Sequence, residues 1–487
     1  MFERQVKSIC PVCEKNIDGK YYEDEGRILF KKSCAQHGEV IDLVSSDAEL
    51  FKDKISLFDH FKDYRCNIDK CKEGIFACSV HENRKAPLAF IEITTRCNMK
   101  CPVCYASADT KGKDMPREDV YRILEKIKKE DENTHVILIG GEPTIHPYFF
   151  DILKKIDELG LMKRAFVATN GITLANKEFS KKVYDAGVRK YYLGFDGTDQ
   201  RACATIRGDL RAYEALRKAL ENIRENGKAR IILSFTASKN VNLHNLADAI
   251  KFSMDNQDIV KRLTITPEVF TGRIKDAKNL VNDRVTGDCV ENYIRKELGI
   301  EQATIPLSLF YILLKPLKYA GLVNLDKWAT SQFSPTCGHM GLVGVRNGKV
   351  FSMIDRLVKN PRRNVFKAGR EIDALSDDMQ KHPGKLPAYL YYLPRYLFIL
   401  FKYANKNIIM EALGAFLRYG ASSKKFKKAF IGEKKVELYY LLGSDRYNFI
   451  WDRLVYCATH HYRIHPVRGD VVKLPGCLVF PFRETLE

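Results

Sequence analysis

Three cysteines lie close together in residues 95–105, with a spacing that suits iron. Cys97, Cys101 and Cys104 form a Cys-x3-Cys-x2-Cys triplet in the segment TRCNMKCPVCY. Three thiolates on one loop can each ligate one iron of a four-iron cluster, which leaves the fourth iron open to a small molecule. The alternatives are a zinc site that lacks one ligand and cysteines that are buried only for packing.

Two glycines and a glutamate follow the apolar run VILI further along the chain. Gly140 and Gly141 lack a Cβ atom, so they would let the backbone approach a ligand closely. Glu142 can accept hydrogen bonds from an ammonium group, and Pro143 belongs to the same turn. We therefore predict a ligand-binding turn at residues 140–143.

Polar side chains also follow the next two apolar runs. Asn170 comes after AFVAT and offers an amide that could recognise a hydroxyl group. Asp196 comes after YYLGF, and Arg207 in the segment IRG could bind a carboxylate. A simple turn around Gly171 and a surface ion pair of Arg207 are the alternatives.

Four potential metal ligands occur in two pairs near the N-terminus. Cys10 and Cys13 form a Cys-x2-Cys pair, and after a gap of twenty residues Cys34 and His37 form a Cys-x2-His pair. This spacing is typical of a zinc knuckle or a rubredoxin-like site, in which four protein ligands leave no open position. We predict a structural metal site that holds zinc or a single iron.

Seven of the eight remaining cysteines offer weaker candidates for auxiliary 4Fe-4S clusters, and Cys203 is left unassigned. Cys66, Cys71 and Cys78 precede the triplet with irregular spacing, so a loosely used zinc site or a free-thiol loop is the alternative. Four further cysteines are far apart in the sequence and could converge on one cluster; buried structural cysteines are their alternative. These four are Cys289, Cys337, Cys457 and Cys477.

An alternation of strands and helices must position the triplet and the polar residues. Six apolar runs (LAFIEIT, VILIGG, AFVATNG, YYLGFDG, IILSFTA and LTITPEV) alternate with helical patterns over residues 88–285. This pattern predicts an α/β fold, a partial (β/α)6 TIM-type barrel with its functional residues at the carboxyl ends of the strands. We assign residues 1–60 to a metal knuckle, 61–87 to a connector and 286–487 to an α+β C-terminal region with auxiliary-cluster cysteines.

The composition limits the location and the partners of the protein. The chain has 487 residues and a formal net charge of +19, and residues 301–487 carry 29 Lys and Arg against 15 Asp and Glu. The first residues, MFERQVKSICPVC, lack an apolar run, and no uncharged apolar stretch reaches 18 residues. We therefore expect a cytoplasmic location, where fourteen cysteines favour metal binding over disulfides. The basic excess favours an anionic partner or is simply a solvated face.

The triplet, the GGEP turn and the parallel array together resemble the radical S-adenosylmethionine (SAM) superfamily. The resemblance implies a 4Fe-4S cluster on Cys97, Cys101 and Cys104, whose open iron is chelated by the methionine part of SAM. Reduction would then release a 5′-deoxyadenosyl radical that abstracts hydrogen from an unactivated C–H bond. The resemblance also implies that Glu142 binds the amino group of SAM, that Asn170 contacts the adenosyl part and that Tyr105 lies on the adenine side.

The chain is also similar, over nearly its whole length, to a narrower subgroup. The segments CPVCEKNIDG, LIGGEPTIHP, ITPEVFTGR, SPTCGHMG and YNFIWDRLVYCATHH occur in the order found in the archaeal tetraether synthase family, which includes proteins named as dihydropterin methyltransferases. The resemblance implies carbon–carbon coupling of membrane lipid chains, auxiliary 4Fe-4S clusters and an electron donor such as ferredoxin or flavodoxin. One departure is Pro87, which stands where the family has a further cysteine.

An apolar stretch in the C-terminal region bears on the substrate. Residues 386–401, LPAYLYYLPRYLFILF, precede the basic cluster SSKKFKKAF. This combination predicts an amphipathic element on the inner face of an anionic membrane, and a buried helix pair is the alternative. A peptide or pterin substrate is the competing functional hypothesis. Nucleic-acid binding is not expected, because we find no interleaving of aromatic and basic residues.

Overall fold

The computed structural model describes most of the chain. It covers residues 2–57, 86–131, 133–274, 279–323, 334, 336–382, 388–419, 432–479 and 481–483. The predicted connector ligands Cys66, Cys71 and Cys78 lie outside the described residues, as do Lys424–Lys428. In the described part of the chain, no helix is both long and apolar enough to cross a membrane.

Residues 3–56 form a small antiparallel module. Its strands β1 to β4 pair in sequence order, and helix α1 packs on one face of the sheet, where its Phe51 joins a cluster with Tyr21 and Phe30. The bounds are β1 (Glu3–Ile9), β2 (Asn16–Asp24), β3 (Arg27–Cys34), β4 (Gly38–Ser45) and α1 (Ala48–Ser56). In such a meander the β1–β2 and β3–β4 turns lie at the same end of the sheet, which brings the two predicted ligand pairs together.

The predicted six-stranded parallel array is present. Its strands are β5 (Leu88–Thr94), β6 (His135–Gly140), β7 (Ala165–Thr169), β8 (Lys190–Gly194), β9 (Arg230–Ala237) and β10 (Val260–Pro267), paired in parallel and in sequence order. Within β5, Ala89, Ile91 and Ile93 are fully buried in the large cluster between sheet and helices, and Phe90 packs in a separate cluster with residues of β6, β7, β8 and β9. This two-residue alternation is typical of a barrel with a packed interior.

Amphipathic helices cover the outside of the array, as predicted for five of them; the short helix Gln200–Arg207 was not predicted. They are α2 (Arg117–Glu130), α3 (Phe149–Glu158), α4 (Lys177–Asp185), α5 (Gln200–Arg207), α6 (Arg211–Asn226) and α7 (Leu246–Asp255). In α2, for example, Val120, Ile123, Leu124 and Ile127 recur at helical spacing and are all completely buried. Burial of these faces fixes the helices and thereby the loops at the strand ends.

Two strands from the C-terminal region extend the parallel array, which the sequence pattern did not predict. Strand β14 (Lys434–Leu441) pairs in parallel with β10, and β15 (Thr459–Ile464) pairs in parallel with β5. The remaining strands, β11 (Ile305–Pro306), β12 (Gly338–Arg346), β13 (Lys349–Ser352) and β16 (Val471–Pro475), pair at the edges. Residues after 286 therefore share the sheet of the core.

The strands β14 and β15 approach each other at a seam. Ala458, just before β15, packs in one cluster with Tyr439 and Leu441 of β14. Arg453 donates a hydrogen bond to the carbonyl of Leu442, directly after β14. Side-chain contacts thus hold the two flanking strands together where no ladder between them is formed among the described residues.

The remaining helices follow the six-stranded array in the chain, and three of them, Leu307–Tyr319, Pro361–Lys381 and Leu393–Tyr403, pack on one another. Helices α10 and α12 approach so closely that a Cβ atom on Gly369 would lie 2.3 Å from Leu309 Cδ1. The bounds are α8 (Leu280–Asp283), α9 (Gly287–Leu298), α10 (Leu307–Tyr319), α11 (Met353–Leu357), α12 (Pro361–Lys381), α13 (Leu393–Tyr403), α14 (Lys406–Tyr419) and α15 (Gly476–Val479). Residues Ala388–Tyr392 form a π-helical turn directly before α13.

Candidate metal and cofactor sites

The cysteine triplet lies on a loop at the carboxyl end of β5, and backbone hydrogen bonds fix this loop. Cys97 N donates to Asp109 O at 2.7 Å, and Thr95 N donates to Lys113 O at 2.8 Å. The Arg96 guanidinium pairs with the Asp114 carboxylate at 2.7 Å. The loop is therefore held at its entry and again near its end, as the positioning of three metal ligands requires.

The glycine pair joins the β6 strand end to this loop. Gly141 N donates to Thr94 O and Glu142 N donates to Arg96 O, each at 2.8 Å. A Cβ atom on Gly141 would lie 2.0 Å from Arg96 O, and one on Gly140 would lie 2.1 Å from Thr94 O. We expected the glycines to admit a ligand; the close approach that the structure shows is to the backbone of the cysteine loop.

Residues directly after the sixth strand also hold the cysteine loop in place. They were not predicted to be functional. Gly272 adopts a φ of +66°, and a Cβ atom there would lie 2.2 Å from Tyr105 O. Arg273 N donates to Cys104 O at 3.0 Å, and its guanidinium donates to the carbonyls of Cys101 and, at 2.6 Å, Ala108. In the sequence, the only sign that these residues contribute to the site was the TGR at the end of the ITPEVFTGR segment.

The three thiols of the triplet pack together in a largely dry environment. Cys97 is buried, and the half-buried Cys101 and Cys104 pack against the small cluster that contains it. Burial raises the pKa of Cys97 to about 12, and burial also raises the pKa of Cys101, where the Arg207 guanidinium acts in the opposite direction. Three converging thiols beside a cation fit a cluster whose ligands must be thiolates.

Glu142 is completely buried between strand ends. Its Oε1 accepts from Thr144 Oγ1 at 2.6 Å and from Thr169 Oγ1 at 2.8 Å, and its Oε2 accepts from Asn170 N at 2.8 Å. Burial raises the pKa of this carboxyl group, and the hydrogen bonds oppose that rise. The structure thus shows Glu142 holding the β6 and β7 ends together, and its binding of an amino group stays a prediction.

Asn170 is placed beside the cluster ligands. Its Nδ2 donates to Asn98 Oδ1 at 2.7 Å and lies 3.9 Å from Cys97 Sγ, whereas its Oδ1 accepts from Ile172 N at 3.0 Å. The side chain therefore lies at the rim of the triplet, half-buried, as a residue that contacts a cluster-bound ligand should.

Asp196 and Arg207 form a buried ion pair at the end of β8. Arg207 Nε donates to Asp196 Oδ2, and Asp196 Oδ1 accepts from Thr236 N at 3.1 Å. Arg207 also hydrogen-bonds to the Cys101 thiol. The carboxylate that Arg207 meets in this structure is thus Asp196, and the pair lies against one cluster ligand. Contact with a substrate carboxylate stays a prediction.

Tyr105 lies on the other side of the triplet, toward the C-terminal tail. The Arg483 guanidinium lies 6.0 Å from its ring centroid and pairs with the buried Glu92 of β5. The tail segment around residue 483 therefore covers the β5 strand end beside the triplet. Placement of Tyr105 against an adenine ring stays a prediction.

The N-terminal ligand set comes together as the sequence predicts. The ligand atoms of Cys10, Cys13, Cys34 and His37 all lie within 4.8 Å of one another. His37 Nδ1 lies 3.5 Å from the sulfurs of both Cys10 and Cys34. Tetrahedral zinc with bonds of about 2.3 Å to sulfur and about 2.0 Å to nitrogen places such atoms about 3.5 Å apart. The donor set therefore fits a closed tetrahedral metal site.

Three of the four distant cysteines converge at the β14–β15 seam. The thiols of Cys337 and Cys457 each share a hydrogen bond with Cys477, which lowers the pKa of each of the first two to about 6 and raises that of Cys477. Cys457 and Cys477 are buried in an apolar cluster with Phe449 and Trp451, among others. A sequence separation of 140 residues between the first and third thiol hides this group from spacing rules.

Cys289, the fourth expected member, is placed elsewhere. It lies in the first turn of α9, where its Sγ contacts Thr286 Oγ1 at 3.1 Å and Ser46 Oγ at 3.6 Å. The cause is the packing of α9 against strand β4 of the N-terminal module. The structure therefore does not bring Cys289 to the three seam thiols.

Comparison with known families agrees with the central features. Residues 91–253 match the radical SAM superfamily, and residues 2–46 match the HMPTM N-terminal zinc ribbon domain. The barrel with its cysteine loop is thus similar to radical SAM domains over the matched residues. The family implies a 4Fe-4S cluster and SAM, and the ribbon with its Cys3His set implies a bound metal ion.

Several named enzymes are similar to this chain in part. The 7,8-dihydro-6-hydroxymethylpterin dimethyltransferase of Methanocaldococcus jannaschii is 34% identical over 290 residues, which cover 58% of this chain and 56% of that protein. The Fe-coproporphyrin III synthase of Methanosarcina barkeri is 30% identical over 223 residues, 44% of this chain and 52% of that protein. The chain thus spans about half the length of these curated relatives. Streptococcus suis SuiB bound to S-adenosylmethionine matches with 14% identity and a TM-score of 0.35, covering 57% of this chain and 68% of that one.

Proposed function

We propose that the chain is a radical SAM enzyme that abstracts hydrogen from an unactivated C–H bond. The observation that carries this proposal is the anchored loop that presents Cys97, Cys101 and Cys104 at the carboxyl edge of the barrel. When bound, the cluster and SAM supply reductive cleavage and a carbon-centred radical. The residues of the chain itself hold three irons, orient the cofactor and exclude water.

Each neighbouring residue has a role in this scheme. Asn170, which lies at the rim beside Cys97, orients the adenosyl part, and Tyr105 borders the adenine side. Glu142 keeps one acceptor position on Oε2 for the amino group, since that atom accepts one hydrogen bond from Asn170 N. Arg207 partly offsets the negative charge of the cluster ligands through its contact with Cys101.

Cleavage of SAM tests the proposal directly. Anaerobically reconstituted protein should release 5′-deoxyadenosine under reductant, and Cys97→Ala should abolish this release. Cys203→Ala is the matched control, because Cys203 is also buried but contacts Gly197 O rather than the triplet. Retention of cleavage in Cys97→Ala would contradict the mechanism.

We further propose that the substrate is a membrane lipid chain, met at a membrane surface by an apolar helix face. Helix α13 buries only Tyr396, and the large apolar side chains around it are exposed. The exposed fractions are 72% for Leu390, 55% for Leu397, 68% for Phe398, 53% for Phe401 and 68% for Met410. Such exposure does not fit a buried helix pair, and an extended apolar surface of this kind calls for a partner.

The charge of the same segment favours an anionic membrane as that partner. Residues 388–419 contain four Lys and Arg and a single acidic residue, Glu411. Glu411 pairs with Arg346 and, at 2.9 Å, with Arg356. Arg395 and Lys406 lie beside the exposed rings of Tyr391 and Phe401, with long stems that can reach lipid headgroups.

Sedimentation with vesicles tests the membrane contact. The protein should bind vesicles that contain phosphatidylserine more strongly than vesicles of phosphatidylcholine alone. Leu397→Glu should weaken this binding about tenfold or more, because it removes a leucine side chain that membrane binding would bury and adds a charge that anionic lipids repel. Leu210→Glu is the control, since Leu210 is 61% exposed and lies outside α13. Equal binding by both variants would refute the assignment of this face.

A pterin substrate is the second candidate. The observation that favours it is the similarity to the M. jannaschii protein named as a pterin dimethyltransferase, together with the HMPTM zinc ribbon match. Lipid extracts and pterin pools from cells with and without the gene would separate the two proposals. A changed pterin pool with unchanged lipids would favour the pterin, and longer coupled lipid chains would favour the lipid.

A further inference from the structure

Positive charge is concentrated at the amino-terminal mouth of the barrel, at the opposite end from the cysteine loop. The first inward-pointing side chains of β8, β9 and β10 are Lys190, Arg230 and Arg262, and that of β6 is His135. The residue that follows each of them is buried in the cluster between sheet and helices, so strand alternation turns these four toward the barrel axis. Lys190 and Arg230 are paired in register on adjacent strands, which places their backbones about 4.8 Å apart.

A single carboxylate of the described residues pairs with the cations of the mouth. Glu437 of β14 accepts from Arg262 Nε and Nη2 at 3.1 and 3.0 Å, and it lies 3.8 Å from the Arg230 guanidinium. Lys190 Nζ donates to a backbone carbonyl at 2.5 Å. Arg164, directly before β7, donates to two amide oxygens at 3.0 and 2.9 Å. Four permanent cations therefore share one negative charge.

The ionisation of the mouth shows that its cations repel one another. Burial and the four neighbouring cations together lower the pKa of His135 to about 4, so the imidazole is neutral at pH 7. Burial also lowers the pKa of Lys190, and the charges of Arg230 and Arg164 act in the same direction. An anion placed between these side chains would relieve the repulsion.

An apolar layer closes the mouth from above. Ile137, Phe166 and Ile232 pack in one cluster inside the barrel, and each is less than 10% exposed. Lys190 Nζ lies 5.1 Å from the centroid of the Phe166 ring, and the His135 ring lies 5.9 Å from it. A ligand in the mouth therefore rests on this layer, which separates it from the cysteine loop.

The donors at the mouth suit a phosphate group. A phosphate carries about 1.5 to 2 negative charges at pH 7 and three strong acceptor oxygens, and guanidinium groups bind such oxygens with two parallel hydrogen bonds. The Arg230 side chain is 44% exposed, so it can turn toward a ligand, whereas Arg262 is 19% exposed and is fixed against the Tyr439 ring at 3.6 Å. Lys190 adds a compact charge on the neighbouring strand.

We propose that the amino-terminal mouth of the barrel binds a phosphate group between Lys190 and Arg230, with Arg262 behind them. The group belongs either to a free phosphate anion or to a lipid headgroup, which present the same chemistry to these side chains. The site is separate from the SAM site, and it does not depend on which substrate the radical attacks.

Calorimetric titration of the reconstituted holoenzyme tests this site, with saturating SAM present to occupy the open iron. The two probes are inorganic phosphate and monomeric dihexanoyl phosphatidic acid, which carries the same group on a lipid. We expect saturable binding of at least one probe with a Kd of about 1 mM or lower. At least tenfold tighter binding of phosphatidic acid would identify a lipid headgroup, and equal or weaker binding would identify the free anion. Absence of saturable binding of both probes would overturn the proposal.

Matched variants locate the binding. Arg230→Gln and Lys190→Gln should each weaken it at least tenfold, because each removes a charged hydrogen-bond donor to the phosphate. Arg211→Gln is the control, since it removes the same charge from a side chain that is 87% exposed at the cysteine-loop end of the barrel, and it should bind normally. Unaltered affinity in both mouth variants, or an equal loss in Arg211→Gln, would refute the assignment. Both mouth variants should cleave SAM at the normal rate, which shows that they are folded and keeps this test separate from that of the radical site.

Discussion

Substitution of Gly141 by alanine should misplace the cysteine loop. The added Cβ atom would lie 2.0 Å from Arg96 O and 3.0 Å from Cys97 Cβ. Both contacts are to atoms of the loop itself, and ordinary contacts of this kind are about 3.4 Å or more. The strand end and the loop must therefore separate by about 1 Å, because neither contact is with the flexible end of a side chain.

The cost follows from the two hydrogen bonds at this junction. Gly141 N to Thr94 O and Glu142 N to Arg96 O are both 2.8 Å, and a separation of about 1 Å breaks them. Each lost bond costs about 1 kcal/mol, and overpacking adds about 1–3 kcal/mol, so we expect a loss of about 3–5 kcal/mol in unfolding free energy. A 1 Å error in a catalytic group can also reduce the rate about 100-fold.

Three glycine variants separate these causes. Gly141→Ala should lower both the chemical-denaturation midpoint and the rate of 5′-deoxyadenosine release. Gly160→Ala isolates backbone strain, because its φ is +70° with nothing within 4 Å, and it should cost about 1 kcal/mol without a change in rate. Gly414→Ala introduces neither a steric clash nor backbone strain, so it should be neutral or slightly stabilising. A Gly141→Ala enzyme with unaltered stability and rate would refute the assigned role of the glycine pair.

Three further perturbations have defined outcomes. His37→Ala should release one metal ion per chain from the N-terminal site, as measured by metal analysis, and leave the iron of the cysteine loop in place. Arg284→Met should lower the unfolding free energy by about 3–5 kcal/mol in urea, because it leaves the buried carboxylates of Asp42 and Asp445 uncompensated. If Cys337, Cys457 and Cys477 hold the predicted auxiliary cluster, Arg453→Met should lower the reduction potential of that cluster by about 60 mV or more, a tenfold change in the one-electron equilibrium, and Arg453→Lys should restore part of the shift.

The barrel and the triplet could be predicted because their signals are local. Each of the six strands is a short apolar run next to a helical pattern, and the observed strands lie within three residues of the predicted runs. The triplet and the N-terminal set are read from spacing alone. The metal geometry follows since the two turns of a four-stranded meander meet at one end.

The remaining features depend on contacts between distant parts of the chain. Strands β14 and β15 have no neighbouring βα pattern, and their places beside β10 and β5 are set by the two exposed edges of the six-stranded array. Cys337, Cys457 and Cys477 meet only because those two strands close the seam. Spacing could therefore suggest that these cysteines converge but could not separate them from Cys289.

The two three-cysteine groups differ in how their arginine is balanced. Arg207 hydrogen-bonds to Cys101 and is also paired with the buried carboxylate of Asp196, so it brings little net positive charge to the triplet. Arg453 hydrogen-bonds to Cys337 and has no carboxylate partner among the described residues. Reduction adds negative charge to a cluster, so a nearby cation without a balancing carboxylate favours the reduced form. An auxiliary cluster held by the three seam thiols should therefore have a higher reduction potential than the cluster of the triplet, which must be the stronger reductant to cleave a sulfonium.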